Sequence, residues 1–523
     1  MAQIVLPSSA KGLLTTMPRH LLEEGMFYVS TNLQLYQGRL ISTPGVSTYI
    51  NTGMDGALGS AIMLIERVVR PDQLIRLVVW TTLDLYVESP AGTWLKRTRV
   101  SGPYTGTQTD YWMTDSCPNV ASPFIWYVGT NGVDPVQKWS TGTGGGGQAI
   151  DLLGSPDPGG THFSKAIAMY QACLFHLNRV ENLVSRPTKL KWSDANLIET
   201  YTGGLSGELQ LFQGGFDAGV ALASLGPYLV AYRRESIHII SFTGSPFFFS
   251  QRQVVRGIGL LAPRAVLNLD TKHLFLGLDN VYMFNGVDIQ PIANDIRDDL
   301  FQDMNPAEVT RCFWLHDKQR NMATLMVPGI DDTQCTRGWH YNLTSGTWSG
   351  PTKDFVMTGG GRGVRSTTLT WADMTMPWSV AGGSWASASA AIGAPLVMFG
   401  NESMLVFFID IRTSRLNGAP VTGRFESRAV HPGAQMDPPA LETICVELYP
   451  LTGDGGGSID WFVGTSDNPE GPFTFYGPYR RGVRGLVKTQ TLRGKWFIFA
   501  AQADTYFELH GLVANHQPSW VAS

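Results

Sequence analysis

LDLYVESPAGTW, residues Leu83 to Trp94, is a short apolar strand ending in an aromatic, a turn built on glycine, and a tryptophan that opens the return strand. HYNLTSGTW, residues His340 to Trp348, repeats it with the tyrosine-to-glycine spacing one residue shorter. A second pair is closer still: Asn131-Gly132-Val133-Asp134 follows FIWYVGT, and Asn285-Gly286-Val287-Asp288 follows VYMF. Asn-Gly between apolar runs signals a hairpin, because both residues accept the positive φ of a type I′ turn. Between these lie further short runs of branched and aromatic residues: Ile75 to Trp80, Ala166 to Asn178, Tyr228 to Tyr232, Ile237 to Phe242, His273 to Leu278 and Asn321 to Val327. Each is bounded by Gly, Pro, Asp or Asn, the residues that end strands. Hairpins that cannot bury their faces alone must stack or close into a ring, so the spacing predicts a β-propeller of six or seven blades over residues 56–415. Helical periodicity is confined to Asp217 to Leu225 and to Asp295 to Met304, where Ile296, Leu300 and Phe301 share one face.

Composition supports an all-β chain. Apolar residues make up 43% of the 523 positions and charged residues 16%, which is enough to bury an interior and too apolar for a disordered chain. The pattern shifts twice. Residues 1–55 carry Thr31-Asn32 and Ser42-Thr43-Pro44-Gly45 and read as an extended N-terminal segment. Small residues dominate from Ala381 to Ala394, and strands resume at Leu396 and Met404. After Gly418 the alternation becomes regular through Gly423 to Arg428, Ile444 to Leu448, Ile459 to Val463 and Trp496 to Ala500, which reads as a C-terminal β-sandwich domain over residues 416–523.

Net charge is −4 with a pI near 6.2, so no basic field exists for tight phosphate-backbone binding. The five cysteines form no CxxC pair and read as buried, reduced thiols. The N-terminus has no apolar leader and no stretch reaches the ~18 apolar residues of a membrane helix, so the expectation is synthesis in the cytoplasm without membrane insertion. The histidines show no HExxH or HxH spacing, and no Gly-x-Ser-x-Gly elbow occurs. Gly144 to Gly147 lacks the Lys-Ser/Thr of a phosphate loop. Asp295, Asp298, Asp299 and Asp303 fall at helical spacing and read as a solvated face. The Gly92/Trp94 and Gly346/Trp348 turns are superficially like sialidase Asp-boxes, but Pro90 and Thr344 stand where the aspartate belongs. No catalytic residue, metal ligand or cofactor is therefore expected, and the chain reads as a non-enzyme. Two basic stretches are candidate contacts for a partner or for DNA: Arg480, Arg481 and Arg484, with Lys488 nearby, and Arg362 with Arg365.

One combination of motifs is specific. Ser185-Arg186-Pro187, Lys191-Trp192-Ser193-Asp194, Tyr228 to Tyr232 with Glu235-Ser236-Ile237, Thr243-Gly244-Ser245-Pro246 with Phe249, Val255-Arg256-Gly257-Ile258-Gly259 with Ala262-Pro263-Arg264, and Val281 to Gly286 closing on Asp295-Ile296-Arg297 resemble the tail hub or nozzle proteins of short-tailed bacteriophages. Asn32, Tyr36 and Thr43-Pro44-Gly45, the Cys335 to Trp348 stretch and the last hundred residues are similar to the same family. The resemblance implies a virion-tail protein assembled in the host cytoplasm. It implies a homo-hexameric ring below the portal and head-to-tail adaptor, contact with tail fibre, spike or needle proteins, and transient passage of double-stranded DNA through an extended channel that holds the genome until ejection. A conduit must not grip its cargo, which agrees with the near-neutral charge. Within the motifs, Trp192 reads as buried and Gly257 and Gly259 as positions intolerant of a side chain. The alternative is a carbohydrate-binding or depolymerising propeller of the tail. A trimeric receptor-binding spike is a third reading, though no β-helix repeat or heptad pattern accompanies it.

Overall fold

The branched and aromatic runs become strands throughout, and the glycine, asparagine and proline clusters become the turns between them. The computed structural model describes the chain apart from residues 1, 7–10, 50–52, 55–59, 70–74, 90–91, 119–124, 142–146, 156–159, 212–216, 365–394, 411–414, 417, 432–441, 454–458, 481–486, 505–507 and 519–523. Six β-propeller blades are each continuous in sequence: I (residues 62–96), II (113–151), III (163–210), IV (219–256), V (266–291) and VI (313–352), each of four antiparallel strands. The ring is closed by a seventh unit of mixed parentage. Its first three strands are Gly359–Val364, Pro395–Gly400 and Val406–Asp410, and its fourth is Gly45–Thr48, paired antiparallel from Phe407↔Thr48 to Asp410↔Gly45. The first strand of unit VII packs against the first strand of blade I on one side and of blade VI on the other. Residues 45–48, which the sequence reading put in the N-terminal segment, are thus a propeller strand.

Hydrophobic cores lie between neighbouring blades. Trp80 of blade I stacks on Trp112 before blade II with centroids 4.0 Å apart, and Phe175 and Trp192 of blade III meet Phe249 of blade IV. Trp192 is buried as the sequence implied, and its Nε1 donates to Leu205 O at 2.7 Å. The two Gly-Thr-Trp turns occupy equivalent places: Trp94 and Trp348 both stand in the fourth strand of a blade, just after the outer hairpin. The two Asn-Gly turns do not. Asn131 sits between the second and third strands of blade II, and Asn285 between the third and fourth of blade V. Nor are they type I′ turns: only Gly132 and Gly286 take positive φ, at 77° and 95°. Each asparagine Oδ1 instead accepts the backbone N–H groups two and three residues on, the Asx arrangement that short amide side chains favour.

Of the two helical windows, one is a helix, Arg297–Gln302, with Ile296 and Leu300 buried and Phe301 packed beside them. The other, Asp217 to Leu225, is the first strand of blade IV, Gly219–Leu225. Its small residues mimic no helix face; they suit the crowded propeller axis, where Gly219 lies under Leu177.

The terminal domain is a two-sheet sandwich in which both ends of the chain take part. One sheet orders Met26–Thr31, Gly423–Ser427, Trp496–Ala503, Asp460–Ser466 and Thr474–Tyr479, with Gly12–Leu13 parallel to Met26–Thr31. The other orders Leu33–Tyr36, Arg39–Ser42, Glu508–Pro518, Glu442–Gly453 and Val487–Gly494, with Ala2–Leu6 on the outside of Glu508–Pro518. Phe425, Trp461, Phe497 and Phe499 of the first face Leu33, Leu40, Val487 and Leu492 of the second. Blade VI and the first sheet are one continuous sheet, joined where Ser30 pairs with Gly350. Asn32, at φ 54°, turns the chain from one sheet of the sandwich into the other. Its amide donates to Asp354 and to Thr422 O and accepts from Lys353 N, which pins the sandwich to the propeller.

Candidate functional site: the axial channel and its mouth

The first strands of all seven units line an axial channel of 450 Å³. Along a strand alternate side chains point to one face, and here the inward ones bring acids and bases to the axis. Glu66 of blade I accepts hydrogen bonds from Thr114 and Tyr127 of blade II. Asp115 accepts from Met169 N and Ser116 N, both at 2.7 Å. Burial, assisted by the neighbouring Glu66, pushes its carboxyl up to about 6. On the other side, Arg362 donates to His316 Nδ1 at 2.6 Å. Burial first, and then Arg362, hold His316 down at about 4.

Arg264 reaches across the channel. Leaving blade V, its Nη1 donates to Met63 O at 2.6 Å and its Nη2 to Gly360 O at 2.8 Å. Met63 belongs to blade I and Gly360 to unit VII, so one guanidinium ties the seam where the ring closes. A planar fork can satisfy two carbonyls that lie apart, and an ammonium cannot do so equally. Replacing Arg264 by Ala is expected to lower stability by about 3 kcal/mol, because two buried carbonyls lose charge-assisted partners; Arg264→Lys should recover less than half. Urea unfolding checks this, and an unchanged midpoint for Arg264→Ala would contradict the assignment.

Acid should weaken the molecule. Buried His273 accepts from Tyr232 OH and donates to Ser224 O, while buried His340 bonds Thr324 and Thr352. Burial depresses His273 to about 4 and His340 to about 3. A depressed histidine contributes stability that is present above its unfolded value, about 6.5, and is lost as pH falls towards the folded one. At pH 5 each therefore costs about 2 kcal/mol, and Asp115, raised rather than depressed, returns about 1. These three groups give a net loss of about 3 kcal/mol between pH 7.5 and pH 5, and His316, His176 and His238, depressed as well, act in the same direction; thermal melts measure it, and equal melting temperatures at the two values would refute it.

At the end of the channel where the first strands begin lies a larger cavity of 620 Å³. Lys165 and Arg234, from blades III and IV, stand on its wall with Asp110, Asn178 and Glu235, above Leu261 and Pro263. The sequence motifs position both cations. The backbone of Gly132 lets the Lys165 stem pack against it, since a Cβ there would meet Lys165 Cγ at 3.0 Å. Gly259 lies directly on the backbone of Arg233 and Arg234, leaving no space for a Cβ. Gly257 has open space around it and needs its glycine only for a φ of 80°. Both positions resist a side chain, for different reasons.

Of the two basic stretches singled out in the sequence, one arginine of each is described. Arg362 is inside the channel and bonded to His316. Arg480 is on the sandwich, donating to Asp460 Oδ1 at 2.7 Å. Arg365, Arg481 and Arg484 lie outside the described residues. The stretch Gly359 to Gly363 owes its glycines to the seam: a Cβ on Gly359 or Gly361 would fall on Met63 O or Ile65 O of blade I. Arg264, Lys165 and Arg234 carried no role in the sequence reading; Arg264 was signalled by Ala-Pro-Arg, a cation placed just before an inner strand. Asp298 and Asp299 are exposed, and Asp303 pairs with Arg337 at 2.9 Å. Cys117, Cys173, Cys312 and Cys335 are buried free thiols whose burial pushes them up. Among the described residues no helix is long and apolar enough to cross a membrane.

Seven inner strands about one axis, each followed outward by three more, define a β-propeller protein with a sandwich appended. No protein-family profile matches the sequence, nor does any curated protein. Among solved structures, the Pan2 WD40 domain of Neurospora crassa is similar at 10% identity and a TM-score of 0.37, covering 71% of this chain and 95% of that one. The selenomethionine-substituted virginiamycin B lyase of Staphylococcus aureus is similar at 8% identity and a TM-score of 0.39, covering 69% of this chain and 97% of that one.

Proposed function

We propose that the chain is a tail hub or nozzle subunit of a short-tailed bacteriophage. It acts by assembly as a ring of about six copies below the portal and adaptor, with double-stranded DNA passing along the axis of that ring and fibre, spike or needle proteins attached beyond it. The carrying observation is the motif set between Ser185 and Arg297. Its residues serve as scaffold: Trp192 is packed between blades, Gly259 lies on the backbone of blade IV, and Arg264 ties the closure seam. The shared sheet between blade VI and the sandwich also suits a part that bears load, since a continuous ladder transmits force without a hinge. The propeller's own channel is crossed by Arg264 and is no DNA path; a conduit must come from several subunits around a common axis. Light scattering of the purified protein with portal and adaptor complexes tests this. A complex with about six copies is expected, and a protein that stays monomeric and ignores both would overturn it.

A further inference from the structure

We infer that the channel-mouth cavity is a binding site for an acidic saccharide, with a sugar carboxylate held between Lys165 and Arg234. Both cations are exposed, and neither makes an ion pair or side-chain hydrogen bond among the described residues. Two of the acids on this wall are already engaged: Asp217 accepts from Glu235 N and Ser236 Oγ, and Asp110 accepts twice from Thr107. The two come from adjacent blades, and each is held by a close backbone contact, Lys165 on Gly132 and Arg234 on Gly259. A cation whose backbone is fixed loses less conformational freedom on capturing an anion.

The other groups narrow the ligand. Glu235 has a free carboxylate, and Asn178, on the same wall, donates its amide N–H to Gly219 O at 2.9 Å, which leaves its amide oxygen as an acceptor. Acceptors beside cations suit a ligand that carries hydroxyl donors next to its negative charge. A phosphodiester backbone carries its charge without hydroxyl donors beside it and would leave these acceptors unmatched. A purely apolar ligand would find Val220, Leu261 and Pro263 set among mostly polar and charged groups. A volume of 620 Å³ admits more than one sugar ring, so a uronate-containing oligosaccharide is the class that fits. The site goes beyond the hub role and stands or falls separately from it, because binding is read on the isolated chain and assembly is not.

The test is calorimetric titration of the full-length protein with tetragalacturonate, with maltotetraose as the neutral counterpart and tetraglutamate as the acidic peptide. Tetragalacturonate alone should bind, Lys165→Ala and Arg234→Ala should each weaken it about tenfold or more, and raised salt should weaken it further. Both side chains are exposed, so melting temperatures should stay unchanged; Lys165→Arg, which keeps the charge, should retain most of the affinity. No binding of tetragalacturonate, equal binding of either control, or full affinity in both alanine variants would overturn the assignment.

Discussion

A chain lacking residues 2–48 is expected to lose cooperative folding altogether. The deletion removes the fourth strand of unit VII, so Val406–Asp410 is left with an open edge and the ring with its last unit one strand short. It also removes Leu33–Tyr36 and Arg39–Ser42 from the sandwich, and with them Leu33, Leu35 and Leu40; Val46 goes from the propeller core. All four are buried, and full burial of such a side chain contributes about 1.5–3 kcal/mol. Their loss alone approaches the 5–15 kcal/mol by which a domain is typically stable, before any strand pairing is counted. Circular dichroism during thermal unfolding would show a broad, non-cooperative change or an insoluble chain. A sharp transition near the full-length melting temperature would mean that the N-terminal strands are accessory.

The second large effect is expected at the seam. Gly361→Ala and Gly359→Ala each place a methyl group on a backbone carbonyl of blade I, Ile65 O and Met63 O respectively. Overpacking a core costs about 1–3 kcal/mol when side chains can shift; here the obstacle is main chain, the Met63 carbonyl held by Arg264 and the Ile65 carbonyl in a strand paired with Ile75–Thr81, so each substitution should cost about 3 kcal/mol or more. The double variant should be unfolded or close to it at 37 °C. Gly257→Ala is the internal control: nothing lies within 4 Å of its added Cβ, and only the positive φ resists, worth about 1 kcal/mol. Denaturant midpoints that place all three substitutions together would remove the seam's special status.

These two sites mark where the sequence was legible and where it was not. Strand runs such as Ile75–Thr81 and Tyr228–Arg233, and the Gly-Thr-Trp hairpins, stand where local patterning put them, because a strand and its turn are encoded within ten residues. Closure is not local. Val46 pairs with Ile409 across the length of the propeller, and nothing in Gly45–Thr48 distinguishes a blade strand from an arm. The same holds for Asn32, whose partners Asp354 and Thr422 come from distant parts of the chain. Arg362 and Arg365 read as a candidate partner contact because they carry charge; the reason for the glycines at 359 and 361 is the carbonyl row of blade I, invisible in sequence. At the candidate site, Asn131-Gly132 was legible as a turn, while its second task, seating Lys165 from the next blade, depends on how the blades pack.

The most direct measurement of the proposed role is a cryo-electron microscopy reconstruction of the tail of a virion that carries this chain. Six copies of the propeller with its appended sandwich, arranged around the DNA axis directly below the portal and adaptor, is the expected result. Density for the chain in another symmetry, away from that axis, or absent from the particle would contradict it.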